Sequence, residues 1–164
     1  MFRRSLAVLT LALAMPAIVT AQQPAKESGL EAMTEVAAAS LNWGPLELPG
    51  FAPGLEIAAI HGDAAAEGLY TIRLRFPAGY KFPAHNHPNP ENLTVVSGTF
   101  LLGMGDKTDA TALKKYETGD FLWIPGMMSH FGGVEGETII QLHGNGPFGV
   151  TVTEGPAAEA KKKM

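Results

Sequence analysis

Between Leu46 and Thr153 the chain reads as short apolar or alternating runs, interrupted every few residues by Gly, Pro, Asn or Asp. Leu69 to Phe76 alternates most cleanly. Tyr70, Ile72, Leu74 and Phe76 fall on one face and Thr71, Arg73 and Arg75 on the other, which predicts a half-buried strand. Further strands are predicted at Leu55–His61, Glu91–Ser97, Thr99–Met104, Leu113–Glu117, Phe121–Ile124, Ser129–Val134, Glu137–His143 and Phe148–Thr153. Ser97-Gly98 suggests a hairpin between two of them, and Lys114 with Lys115 suggests that Leu113–Glu117 is an edge. Many short strands without an internal helix predict an all-β sandwich or barrel, and the pattern does not separate the two. Phe76, Phe100, Met104, Trp123, Met128 and Phe131 are the expected core and pocket wall, giving an apolar cavity suited to a small molecule.

The ends differ from this middle. Met1-Phe2-Arg3-Arg4 is a short basic start, and Ser5 to Val19 is an apolar run containing Pro16. Fifteen residues are short of the roughly 20 needed to span a bilayer, and Val19-Thr20-Ala21 supplies small residues before a cleavage point. Residues 1–21 are therefore expected to be a signal peptide, so that Gln22 begins a periplasmic or secreted protein with no stable membrane anchor. Residues 22–45 are expected to form an N-terminal arm, 46–154 the domain, and 155–164, with Lys161-Lys162-Lys163, a flexible basic tail.

Composition narrows the chemistry. The chain of 164 residues has length for one domain, and its 46% hydrophobic and 17% charged content is that of a globular fold. There is no cysteine, which removes disulfides, thiolate ligands and a cysteine nucleophile. Loss of Arg3 and Arg4 moves the formal charge from −4 to −6, and an acidic chain with no basic patch in its domain is a poor nucleic-acid binder.

The chemistry-bearing stretch is Gly79 to Gly98, GYKFPAHNHPNPENLTVVSG. His85 and His87 are two apart, so on a strand both side chains share a face. Pro88 and Pro90 cannot continue a ladder, so the chain turns before Glu91 opens the next apolar run. Two imidazoles on one strand and a carboxylate at the start of the next can converge on one point, as in a metal site with nitrogen and oxygen ligands.

This stretch and Gly119 to His130, GDFLWIPGMMSH, resemble the two motifs of the cupin family. Gly79, five residues, His85-x-His87, three residues, Glu91, six residues and Gly98 match the first motif at its fixed positions. Gly119, five residues, Pro125 and then His130 match most of the second. Two positions depart: Met127 stands where the motif has glycine, and Val134 where it ends in asparagine. The resemblance covers roughly residues 46–153 and points to a small exported single-domain cupin. It implies a double-stranded β-helix, the jelly-roll barrel, with His85, His87, Glu91 and His130 as ligands. One divalent transition metal ion is then expected, with Fe, Mn, Co, Ni, Cu and Zn all compatible with such a donor set.

The family hosts many activities, so the resemblance does not fix one. One reading is a metal-dependent enzyme of dioxygenase or isomerase type acting on a small organic molecule. The other is a non-catalytic module that binds or senses a small molecule or the metal. His143 is the candidate proton carrier: in Gln141-Leu142-His143 it shares a face with Gln141, and it serves only if that face is the inner one. His61, before Gly62-Asp63, is expected to serve a turn. A homodimer is the candidate assembly.

Overall fold

The computed structural model describes residues 33–154. The expected signal peptide, the first part of the arm and the tail lie outside the described residues. Among the described residues no helix is long and apolar enough to cross a membrane.

Among the described residues the fold is all β, as the run pattern predicts, with helix limited to two short 3-10 turns at Ala38–Ser40 and Ala110–Ala112. The described residues form eleven strands: β1 (Gly44–Pro45), β2 (Glu56–His61), β3 (Gly68–Phe76), β4 (Lys81–Asn86), β5 (Glu91–Ser97), β6 (Thr99–Met104), β7 (Lys114–Glu117), β8 (Phe121–Ile124), β9 (His130–Val134), β10 (Thr138–Gly146) and β11 (Thr151–Val152). They form two antiparallel sheets, one of order β1-β2-β3-β10-β5-β8 and one of order β11-β4-β9-β6-β7. β7 is an edge strand, as its lysines suggested.

The inner faces of the two sheets share one core. Tyr70, Ile72, Leu74 and Phe76 of β3, Leu93 and Val95 of β5, and Ile140 and Leu142 of β10 are all buried, while the residues between them are not. Across this interior Phe76 meets Phe82 and Phe100 of the other sheet at ring-centroid distances of 6.0 and 6.2 Å. Such tilted aromatic contacts contribute specific packing in addition to the burial of apolar area.

Two expectations are corrected. Glu91–Ser97 and Thr99–Met104 do not form a hairpin. β5 lies in the six-stranded sheet and β6 in the five-stranded one, so the chain crosses between sheets at Gly98. Gly98 has φ +82°, and a Cβ there would lie 2.4 Å from Thr138 Oγ1 and 2.6 Å from the Glu137 carbonyl oxygen. Only glycine tolerates both the backbone and the crowding. The second correction concerns Met104, Trp123 and Met128, which are exposed rather than core. β8 is the edge of its sheet and turns Leu122 and Ile124 inward, so Phe121 and Trp123 face out.

Candidate metal centre

The site starts from an irregularity in β4. Phe82 pairs with Gly132 of β9 and His85 with His130, which leaves Pro83 and Ala84 opposite Phe131 alone. This is a β-bulge, and it shifts the strand's alternation by one residue. Phe82 and His85, three apart, consequently both face the interior, with ring centroids 5.6 Å apart. Proline fits here because it has no N–H to give to a ladder. The displaced Ala84 N–H is taken by the Glu154 carboxylate at 2.9 Å.

His85 then faces its register partner His130, the first residue of β9, and their ring centroids are 4.4 Å apart. His87 sits just past the end of β4, before the turn through Pro88-Asn89-Pro90, with centroids 4.9 Å from His85 and 5.3 Å from His130. Glu91 opens β5 on its inward face and is buried. Its Oε2 lies 3.3 Å from His87 Nε2 and 3.6 Å from His130 Nε2. Four residues from three strand ends and one turn are thus brought together at one end of the interior.

Each imidazole is oriented from behind. His85 Nδ1 bonds the Pro83 carbonyl at 2.8 Å, His87 Nδ1 the Gly149 carbonyl at 2.8 Å, and His130 Nδ1 the Met128 carbonyl at 3.1 Å. A carbonyl oxygen only accepts, so all three Nδ1 atoms carry the proton and donate. The neutral rings therefore present Nε2 lone pairs, the form in which histidine ligates a metal. One potential ligand nitrogen from each ring lies within 4.8 Å of the others. Two nitrogens held about 2.1 Å from one ion are at most roughly 4.2 Å apart, so small adjustments suffice for a shared ion.

Electrostatics agree with this. Burial, and then the neighbouring His130 and His87, lowers His85 to about 3. Burial and His130 lower His87 to about 4, and burial lowers His130 as well. Burial also pushes Glu91 up to about 8. Near neutral pH the metal-free cluster therefore holds three neutral imidazoles and a protonated carboxyl. A cation removes the main penalty on ionising that carboxyl, because it supplies the countercharge the interior lacks.

The cavity in front of the cluster has a volume of about 40 Å³, room for three or four waters at roughly 10–15 Å³ each. Apart from the three histidines and Glu91 its lining is apolar, including Leu74, Phe76, Leu93, Phe100, Ile140 and Leu142. Phe51 meets His85 edge-on at 5.1 Å, and Phe148 stacks on His87 at 5.1 Å. Nothing in the sequence connects either ring with the site. Phe148 follows Gly144-Asn145-Gly146-Pro147 and was expected to begin a strand, and no local pattern marks a loop ring as packing on a histidine.

His143 is not in the cluster. β10 turns Ile140 and Leu142 inward, so His143 and Gln141 occupy the outer face, where Gln141 Oε1 accepts from Arg73 Nε at 3.1 Å and His143 is exposed. The expected proton carrier therefore points away from the cavity. His61 is also exposed, with Nδ1 3.3 Å from Thr34 Oγ1. Met127, which stands where the motif has glycine, lies in the left-handed region that glycine adopts most easily, at φ +63°, and its N–H donates to the His87 carbonyl at 2.7 Å.

Residues 32–149 match the ChrR cupin-like domain. The chain belongs to that family. No curated protein matches it. Among solved structures, the polyketide cyclase RemF from Streptomyces resistomycificus superposes with a TM-score of 0.62 at 16% identity, covering 81% of this chain and 94% of that one. A candidate acetylacetone dioxygenase from Methylibium petroleiphilum PM1 gives 0.58 at 16% identity, covering 77% and 84%. An RmlC-like cupin from Shewanella frigidimarina NCIMB 400 gives 0.53 at 18% identity, covering 70% and 91%. At these identities the likeness is one of fold.

Proposed function

We propose that this cupin holds one divalent transition metal ion on His85, His87, Glu91 and His130 and uses it on a small organic molecule, as a metal-dependent enzyme of dioxygenase or isomerase type. The observation that carries the reading is the convergence of three Nε2 lone pairs, each fixed by a backbone acceptor behind its ring, around one buried carboxyl. When bound, the ion would supply Lewis-acid or redox chemistry at the open side of the donor set. The protein's part is to hold the donors, keep Glu91 ionisable at Oε2, and exclude bulk water with an apolar wall. Phe51 and Phe148 pack against two of the imidazoles and limit how these can turn. Two of the superposed structures are described as a cyclase and a candidate dioxygenase, which is compatible with this class of chemistry on the same fold.

A second reading has its own support. Apart from the four proposed ligands, no titratable side chain among the described residues lines the cavity, as a non-catalytic metal or small-molecule binding module would have it. Dioxygen consumption by the metal-loaded protein with a panel of small diketones, enols and phenols separates the two. Turnover abolished by Glu91→Gln supports the enzyme, and tight retention of one compound without turnover supports the binder. We further propose that the protein is exported after cleavage behind Ala21, on the strength of the basic start, the apolar run of 5–19 and the small residues at 19–21. Protein recovered from the cell envelope should begin at Gln22, and a start at Met1 would overturn the proposal.

A further inference from the structure

One more polar side chain is aimed at the cluster. On the inner face, Tyr70 of β3 pairs in register with Gly144 of β10. β10 also pairs with β5 through His143 opposite Asn92, and one further step of that register sets Gly144 beside Glu91. Tyr70, Gly144 and Glu91 thus form one inward row across three strands, with glycine in the middle. A Cβ on Gly144 would lie 3.3 Å from the Tyr70 hydroxyl and 3.2 Å from the Pro90 carbonyl oxygen. The phenol therefore occupies the space that a side chain at 144 would fill, and it lies across the strand toward Glu91.

Tyr70 is buried, and its ring meets Phe148 edge-on at 6.1 Å, the same Phe148 that stacks on His87. The other buried tyrosine, Tyr80, donates its hydroxyl to the Ala52 carbonyl at 2.5 Å; the Tyr70 hydroxyl makes no such bond among the described residues, where no sealed-off side-chain polar atom lacks a partner, so its tip reaches accessible space. Burial, and secondarily the charge of Glu91, holds the Tyr70 phenol up at about 12, so it keeps its proton at any physiological pH.

Resting on the metal-centre reading above, we infer that Tyr70 is a positioning residue: its hydroxyl donates to the Glu91 carboxylate once a metal has ionised it, fixing which oxygen faces the imidazoles. The glycine at 144 is what lets the phenol reach. Outer partners of this kind set ligand orientation, and removing one lowers metal affinity by roughly 10–100-fold.

The test uses the full mature chain and Co²⁺, followed by calorimetry and by the visible d–d absorption of the bound ion. Tyr70→Phe keeps the ring on Phe148 and removes only the hydroxyl. It is expected to weaken Co²⁺ binding by about 10-fold and to alter the d–d bands. In a Glu91→Gln background, where three imidazoles still bind the ion, the same substitution is expected to change nothing further, because its effect passes through the carboxylate. Gly144→Ala, which crowds the phenol, is expected to move affinity in the direction of Tyr70→Phe. Wild-type affinity and spectrum in Tyr70→Phe would overturn the inference while leaving the metal centre intact, and so would a loss that persists undiminished in the Glu91→Gln background. Failure of the wild-type protein to take up Co²⁺ would overturn the metal-centre reading itself, and with it this role.

Discussion

The buried carboxyl of Glu91 should make the metal-free protein lose stability as pH rises, and Glu91→Gln should remove that loss. The carboxyl is raised from 4.5 to about 8 by burial, so the folded state holds its proton more tightly than the unfolded chain does. Below about pH 4.5 both states are protonated and the site imposes no charge penalty. Between about 4.5 and 8 the unfolded chain gives up the proton first, and stability falls with pH. A difference of three to four pH units corresponds to about 5 kcal/mol when the titration is complete. That is a large share of the roughly 5–15 kcal/mol that stabilises an ordinary domain. Glutamine has the same shape and does not ionise. The assay is urea denaturation in chelator at pH 5, 7 and 9, followed by tryptophan fluorescence. The wild type should lie within about 1 kcal/mol of Glu91→Gln at the lowest pH and fall below it by several kcal/mol at the highest. The histidines act on both proteins alike: their lowered values add stability as pH rises toward about 6.5, so the difference between the proteins isolates Glu91. Metal at 100 times the wild type's Kd adds about 2.7 kcal/mol to the wild type and less to Glu91→Gln, which binds it more weakly, so the gap between the two should narrow. Parallel pH profiles for the two metal-free proteins would refute the reasoning.

Four other substitutions probe separate parts of the account. His85→Ala or His130→Ala should lower metal affinity by more than about 100-fold while circular dichroism still reports a folded β protein, because the core is apolar and continuous without them. Full metal occupancy in either variant would remove that residue from the ligand set. Met127→Gly should relieve a left-handed backbone and change stability by no more than about 1 kcal/mol, in the stabilising direction, by thermal or urea melting; a clear destabilisation would mean the Met127 side chain holds the loop. Gly132→Ala should unfold the protein or cost roughly 3 kcal/mol or more, since its Cβ would lie 2.0 Å from the Leu101 carbonyl oxygen; a wild-type melting curve would contradict the observed β6–β9 packing.

How much of this was legible in the sequence varies residue by residue. The alternation of Tyr70, Ile72, Leu74 and Phe76 fixed a strand, its inward face and part of the core, because both sides of β3 follow period two without interruption. The two-apart spacing of His85 and His87 anticipated that both are buried on one side, although His87 lies just past the end of β4 and not on it, and the proline turn brings Glu91 beside them. What failed was phase and partnership. Period two carried back from His85 would place Phe82 on the opposite face, and nothing local announces the bulge at Pro83 that brings both inward. Ser97-Gly98 has hairpin chemistry, yet a tight turn specifies a reversal or a corner equally well, and the choice is made by distant partners, β10 for one strand and β9 for the other. Trp123 and Met104 are apolar enough for a core, but exposure at a sheet edge depends on strand order, which hydrophobicity does not encode. His143 was ambiguous for a related reason: its face is set by β10's inward pair, Ile140 and Leu142. Tyr70 was legible only as core, since its place beside Glu91 depends on register across Gly144.

The most direct test of the central claim is elemental analysis of the untagged protein purified from its own cell compartment. The account predicts close to one transition metal ion per chain in the wild type and a large loss of it in His85→Ala. A wild-type protein free of metal, and still free of it after incubation with Fe²⁺, Mn²⁺, Co²⁺, Ni²⁺, Cu²⁺ and Zn²⁺ in turn, would contradict it.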